Sequence, residues 1–193
     1  MASLTPTTEL EAVNRILASI GEYRINTLTG TIPEDAAKAR DRLHGVSRDF
    51  QAKGWSFNTD TSVSLAPDTG GTVYLPSNAL NVVFVGETTL TIRGQRVYDR
   101  SAASFNIART LTANVTSFLP FEELPEQARS YIFVAACRSF QDDEMMEGAV
   151  HRIRTEDVSA AWAAFLHWDA EQNSYSLNNN TMLSRMKQRR RVG

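Results

Sequence analysis

Apolar side chains recur at helical spacing through the first fifty residues of the chain. A first helix is predicted after the capping-box pattern Thr8–Glu11, and Gly21 ends it. Its apolar face consists of Leu10, Val13, Ile16, Leu17 and Ile20. A second helix is predicted from the start signal Thr31–Glu34 to a position near Gly54. Its apolar face consists of Ala36, Ala39, Leu43, Val46 and Phe50. Two amphipathic helices joined by a loop predict an antiparallel pair.

The spacing changes to alternation after Trp55, where the chain becomes rich in Thr, Val, Gly and Asn. Six short strands are predicted between residues 55 and 118, near Val63–Leu65, Val73–Leu75, Asn81–Val85, Thr89–Arg93, Arg96–Asp99 and Thr112–Phe118. The fourth and fifth of these strands flank Gly94 and Gln95, which predicts a β-hairpin with a glycine-containing turn.

The last third of the chain returns to helical patterning. Pro125 marks a helix start, and the longest apolar run of the chain, Tyr131–Cys137, follows it. A helix that is apolar on most sides must be covered on most sides, so we expect it to be a central helix. A final helix is predicted from about Glu144 to Glu171, and Asn178–Asn180 interrupts it. Its inward residues are predicted to be Val150, Ile153, Val158, Ala161, Trp162 and Phe165.

The order of these elements predicts an α+β fold. The N- and C-terminal helix pairs are expected to form a four-helix bundle with an antiparallel β region inserted between them. The corresponding segments are residues 1–54 for the first helix pair, 55–120 for the β region, 121–177 for the second pair and 178–193 for a basic, flexible tail.

Composition narrows the class of protein. The 193 residues are 42% hydrophobic and 22% charged, which is typical of one globular domain. The sequence contains no apolar run of the roughly 20 residues that cross a bilayer, and its first residues lack the pattern of a signal peptide. The single cysteine, Cys137, lies in the apolar run and is predicted to be a buried, inert thiol. We therefore expect a cytosolic site of assembly and no membrane contact.

The net charge of −2 is unevenly distributed. The segment 172–193 contains five basic residues and no acidic one, so removing those five charges leaves −7 on residues 1–171. The basic residues are Arg185, Lys187, Arg189, Arg190 and Arg191. An acidic body with a basic end is not typical of a nucleic-acid-binding domain. The tail is interpreted either as a solvated end or as a segment that contacts phosphate or an acidic protein surface.

Residues with potential chemistry do not form a catalytic set. Glu147 and His151 are four apart on a predicted helix, but a metal site needs further ligands, and a surface ion pair is the favoured interpretation. The acids 142–144 are interpreted as a solvated turn between the last two helices, although paired carboxylates also occur in glycosidases. His44 has no obvious partner, and His167 and Glu171 belong to no larger cluster. The sequence therefore predicts no enzyme and no cofactor.

The three tryptophans allow two interpretations. Trp55, Trp162 and Trp168 could be platforms for a ligand, but their positions favour packing. Trp55 lies at the junction between the second helix and the β region, where we expect it to seal the two layers.

Five segments are distinctive together, by their order and spacing along the chain: Ala12–Glu22, Gly54–Asn58, Val97–Arg100, Glu123–Glu126 and Ala136–Phe140. In this order they resemble the tail tubular protein A family of T7-like podoviruses. The resemblance covers nearly the whole chain and is weakest beyond Asn178.

The resemblance implies a structural virion protein, the head-to-tail adaptor, assembled in the host cytoplasm. Its implied partners are the portal protein, a nozzle similar to tail tubular protein B, and further copies of itself in a ring of twelve. Double-stranded DNA would pass through the ring without sequence recognition. Under this interpretation, the five basic tail residues dock on an acidic portal surface. A tail-associated glycan hydrolase and a head-completion factor are the alternatives.

Overall fold

The computed structural model describes residues 6–144 and 153–178, with side chains described as far as Asn173. The chain divides into two compact units. The helical unit comprises Met1–Ser47 and Phe121–Gly193, and the β unit comprises Arg48–Pro120. Within the described residues, four α-helices and two small antiparallel sheets make this an α+β fold, which confirms the predicted class.

The helices are α1 (Glu9–Ile20), α2 (Glu34–Gln51), α3 (Glu126–Glu144) and α4 (Thr155–Asn178), with a short 3-10 helix at Phe121–Glu123. The capping box of α1 is confirmed: the Thr8 hydroxyl accepts from the Glu11 amide, and the Glu11 carboxylate accepts from the Thr8 amide. Gly21 ends α1 with φ of 93°, in the left-handed region that glycine tolerates.

Helix α3 packs against both α1 and α4. Its side chains Ile132, Ala136 and Phe140 are fully enclosed, and α4 contributes Phe165 to the buried set. Burying a large apolar side chain such as Ile132, Phe140 or Phe165 stabilises the fold by about 1.5–3 kcal/mol. The low amphipathicity of α3 follows from this packing, because a helix covered on two sides needs apolar residues on both.

Two predicted boundaries near α4 are wrong. The acids 142–144 form the last turn of α3 rather than a connecting turn, and α4 begins at Thr155 rather than near Glu144. The Asp157 carboxylate accepts from the Arg154 amide at 2.8 Å, which satisfies a backbone donor at the new helix start. Ile153 therefore precedes α4, and Val150 lies outside the described residues.

The β unit contains five strands. They are β1 (Thr59–Leu65), β2 (Ala79–Phe84), β3 (Leu90–Arg93), β4 (Arg96–Asp99) and β5 (Leu111–Ser117). The first, second and fifth form an antiparallel sheet in the order β1-β5-β2, and β3 pairs with β4 in the predicted hairpin. The core of this unit is formed by Leu65, Val73, Val82, Leu90, Val97, Leu111, Ala113 and Val115.

Two strand predictions differ from the structure. The segment Val73–Leu75 makes only isolated bridges, one of them between Tyr74 and Arg96, and it is not a strand. Strand β1 begins at Thr59, four residues before the predicted start. The prediction missed these residues because a bulge at Ser62, with φ of 59°, interrupts the alternation of side chains.

Buried amides join the end of α2 to the end of β5 inside the β unit. The Asn58 side chain donates to the carbonyls of Gln51 (3.0 Å) and Ser117 (2.9 Å). The Gln51 side chain donates to the carbonyl of Leu119 and accepts from its amide, as a neighbouring strand would. These bonds satisfy backbone amides and carbonyls at the end of α2 and just after β5, where the hydrogen bonds of the helix and of the sheet end.

Candidate functional site

A buried arginine organises the helical unit where α3 begins. Arg129 is 8% exposed, and its guanidinium donates to the carbonyl oxygens of Leu124 (2.7 Å), Thr7 (2.9 Å) and Glu122. A buried charge is costly unless it is hydrogen-bonded, and the planar fork of arginine reaches several carbonyls at once. Arg129 therefore ties the N-terminal segment to α3. The sequence shows this residue only as a single arginine in the first turn of an apolar helix, and its burial was not predicted from that position.

The carboxylates around Arg129 hold the same segment. The Glu126 carboxylate accepts from the Thr7 amide at 2.8 Å and from the Thr7 hydroxyl at 2.6 Å. The Glu122 carboxylate accepts from the Glu9 amide at 3.4 Å. The starts of α1 and α3 therefore lie side by side with several carboxylates around them, near the positive ends of both helix dipoles.

Helix α2 is connected to α1 by a shared carboxylate. One oxygen of Glu9 accepts from Arg40 Nε at 2.6 Å and lies 2.9 Å from His44 Nε2. The prediction that His44 lacks a partner is therefore wrong. Glu9 lies in α1, 35 positions before His44 in α2, so no local sequence pattern predicts this contact.

The acids at the end of α3 are ion-paired or exposed. Asp142 pairs with Arg138 at 2.9 Å, Asp143 pairs with Arg42, and Glu144 is exposed. A glycosidase needs one carboxyl kept protonated in an apolar cleft. Here the Asp143 carboxylate instead joins α3 to α2, and the Asp142 carboxylate stabilises the last turn of α3.

The remaining candidate ligands form no cluster in the part of the chain that the structure describes. Among those residues no group of three or more His, Cys, Asp or Glu side chains is placed to hold a metal ion. His167 lies 3.8 Å from Glu171, one turn along α4. Glu147 and His151 lie outside the described residues. None of the described helices is long and apolar enough to cross a membrane.

The lone thiol is buried, as predicted. Cys137 lies inside the helical unit, and burial raises the pKa of its thiol to about 12. Only the thiolate is a nucleophile, so this side chain is inert at neutral pH.

The tryptophans pack against other aromatic rings. In the helical unit Trp162 lies 5.0 Å from the Tyr131 ring and 6.0 Å from Phe165, which in turn lies 5.9 Å from Trp168. Trp55 stacks on Phe50 in the β unit at 5.1 Å. These contacts favour packing over a ligand platform.

The β3–β4 hairpin has one face packed into the core of the β unit and one face in solvent. Leu90 and Val97 lie on the inner face. We call the other side the outer face of the hairpin, and it consists of Thr91, Arg93, Arg96 and Tyr98, two pairs of directly opposed residues. No motif in the sequence marks this surface.

The outer face continues into a stack of four side chains. The Arg93 guanidinium lies 3.6 Å from the centre of the Tyr98 ring, and the Arg96 guanidinium lies 4.1 Å from that of Phe105. The two rings meet edge to face at 4.9 Å. Among the described residues neither arginine pairs with a carboxylate, whereas the nearby Arg109 pairs with Glu87 at 2.6 Å. The hairpin thus presents two preorganised cations.

The five predicted docking residues of the tail, Arg185, Lys187, Arg189, Arg190 and Arg191, lie outside the described residues.

Comparison with known proteins gives one result across both units. A family model described as tail tubular protein matches residues 10–175. No curated protein matches the chain significantly.

Proposed function

The chain belongs to the tail tubular protein family, and on that premise we propose that it forms the adaptor ring between the portal and the tail nozzle. The family consists of structural proteins of the bacteriophage tail, which gives the virion tail as the location. One observation carries the proposal: the match spans residues 10–175 and so includes all five strands and nearly all of the four α-helices.

The proposed ring contains twelve copies, assembles in the host cytoplasm and joins the portal of a podovirus to a nozzle similar to tail tubular protein B. The four helices are proposed to form one bundle from residues 1–54 and 121–177, with residues 55–120 as an inserted β region. The contacts of α3 with α1 and α4, and the ion pairs from α2 to α1 and α3, support this arrangement.

The proposed channel passes double-stranded DNA during genome ejection. Basic side chains along a lumen would bind phosphates with release of counterions and would retain the duplex. The charge of −7 on residues 1–171 favours a channel through which DNA slides. We propose no turnover chemistry, because the acids at the end of α3 are occupied in ion pairs or exposed.

The mass of the protein, alone and mixed with its portal, tests the proposal. We expect a ring of defined mass on the portal, measured by native mass spectrometry. The protein is then added to portal-bearing heads that lack a nozzle, followed by the nozzle protein. Recruitment of the nozzle would distinguish an adaptor from a head-completion factor, because the adaptor must bind both partners. A stable monomer that does not bind the portal contradicts the proposal. Hydrolysis of host glycans by that monomer would favour the alternative function, a tail-associated glycan hydrolase.

We also propose that the tail residues 185–191 dock on an acidic portal surface and order on binding. Deleting residues 182–193 is expected to weaken attachment to portal-bearing heads. A matched variant with the four tail arginines changed to lysine keeps the charge and should retain most of the attachment. Unchanged attachment of the deletion variant contradicts the proposal. A steep salt dependence of DNA binding, lost on deletion, would assign the tail to DNA instead.

A further inference from the structure

We infer that the outer face of the β3–β4 hairpin binds carboxylates on the helical unit of a second copy of this chain, and so forms part of the contact between neighbours. Arg93 and Arg96 would supply the cations, held over the rings of Tyr98 and Phe105. The inference rests on the proposed self-association into a ring and names the surface that carries it.

The position of the two arginines favours the binding of an anion. Arg93 and Arg96 are directly opposed across the hairpin, where like charges destabilise a strand pair. A carboxylate placed between them would remove that repulsion. Stacking fixes each guanidinium before binding, so little side-chain entropy remains to be lost on association.

The surroundings of the two arginines favour a protein partner over DNA. Tyr74 is 54% exposed, and a β-bridge pairs it directly with Arg96. An exposed aromatic side chain beside arginine is typical of protein interfaces. Residues 48–120 contain six basic and five acidic side chains, which is far from the basic surface that binds phosphate backbones.

The chain itself provides the complementary surface. Because residues 48–120 are nearly neutral, the negative charge of residues 1–171 belongs almost entirely to the helical segments. Glu122 and Glu123 are exposed just before α3, and the Glu122 carboxylate accepts from the Glu9 amide at the start of α1. A ring requires a heterologous contact between two different patches of the same chain. The basic outer face of the hairpin and the acidic residues before α3 are two such patches.

Charge reversal of the hairpin tests the inference. In sedimentation equilibrium at low salt we expect R93E/R96E to weaken self-association of the full chain by about tenfold or more. A control, R24E/R154E, makes the same change of net charge on exposed side chains of the helical unit and should associate like the wild type. The neutral variant R93Q/R96Q, checked by circular dichroism, separates lost binding from lost folding.

A reciprocal exchange locates the acidic partner. The variant E123R, checked by circular dichroism, leaves the bond of Glu122 to the Glu9 amide intact and should also associate weakly alone. An equimolar mixture with R93E/R96E should recover association, because every mixed contact then pairs opposite charges. Wild-type self-association that R93E/R96E leaves unchanged, or a mixture that stays monomeric, overturns the inference. A wild-type chain that is monomeric at low salt overturns it too. Portal binding by the wild type, measured separately, is the test of the adaptor function and does not depend on this result.

Discussion

The guanidinium of Arg129 donates to the carbonyl oxygen of Thr7 at 2.9 Å, across 122 positions of the chain. This bond joins the segment before α1 to the first turn of α3, and the Glu126 carboxylate reinforces it from the other side by accepting from the Thr7 amide. Because Arg129 also bonds to two carbonyls just before α3, one side chain holds three backbone segments of the helical unit together.

Replacing Arg129 should destabilise the helical unit strongly. In R129M three carbonyl oxygens lose their donor, and we expect the free energy of unfolding to fall by about 2–4 kcal/mol. R129K keeps the charge but not the fork, so it should recover only part of the loss. Urea unfolding followed by circular dichroism measures both variants. The exposed Arg24 provides the control, since R24M should change stability by less than about 0.5 kcal/mol. Equal stability of R129M and R24M would contradict this role.

Local signals predict much of this fold. The cap at Thr8, the glycine at position 21 and the turn at Gly94 are each encoded within a few residues, and all three are where the sequence places them. The irregular features depend on partners far along the chain. The segment Val73–Leu75 alternates like a strand but finds only isolated bridges, and the bulge at Ser62 conceals the start of β1.

The candidate surfaces were harder to predict than the elements that carry them. The contacts of Arg129 with Thr7 and of His44 with Glu9 join positions that only the folded chain brings together. The stack on the hairpin is similar, because Phe105 comes from the loop after β4. Residue types alone gave no reason to choose these arginines among the 20 basic residues of the chain.

Gln51 should be sensitive to substitution because its amide pairs with the backbone of Leu119 through two hydrogen bonds. It is fully buried. In Q51L both backbone groups lose a partner, at an expected cost of about 2–3 kcal/mol, and Q51E should cost at least as much because it places a carboxylate opposite a carbonyl. The exposed Gln127 serves as the control, with Q127L and Q127E near wild type in urea unfolding. A Q51L variant as stable as Q127L would refute the role of this amide.

The thiol of Cys137 should not react in the folded protein. Burial raises its pKa to about 12, so the thiolate fraction stays negligible up to about pH 9. We expect no reaction with Ellman's reagent over an hour in buffer and full reaction in denaturant. An exposed thiol introduced by S77C should react within minutes under native conditions. Comparable rates for the two sites would show that the interior of the helical unit opens readily.

The pH dependence of stability should reveal the role of Asp99 at the end of β4. The Ser101 hydroxyl donates to its carboxylate at 2.6 Å, and the amides of Ser101 and Ala102 donate as well. These bonds lower the pKa of Asp99 from its ordinary value of 3.8, with the Ser101 hydroxyl as the largest cause. A folded-state pKa below the unfolded value stabilises the protein above the unfolded value, and the contribution disappears as the pH falls through the folded value.

D99N should therefore lower the thermal midpoint at neutral pH, and the difference from the wild type should shrink on acidification below the ordinary pKa of 3.8. Thermal unfolding between about pH 7 and pH 2 measures this difference directly. D60N removes an exposed carboxylate from β1 and controls for the change in net charge. A D99N deficit that persists unchanged at the acid end would mean that the carboxylate charge is not what holds the turn after β4. Hydrogen-bond geometry that asparagine does not reproduce would then be the source of the deficit.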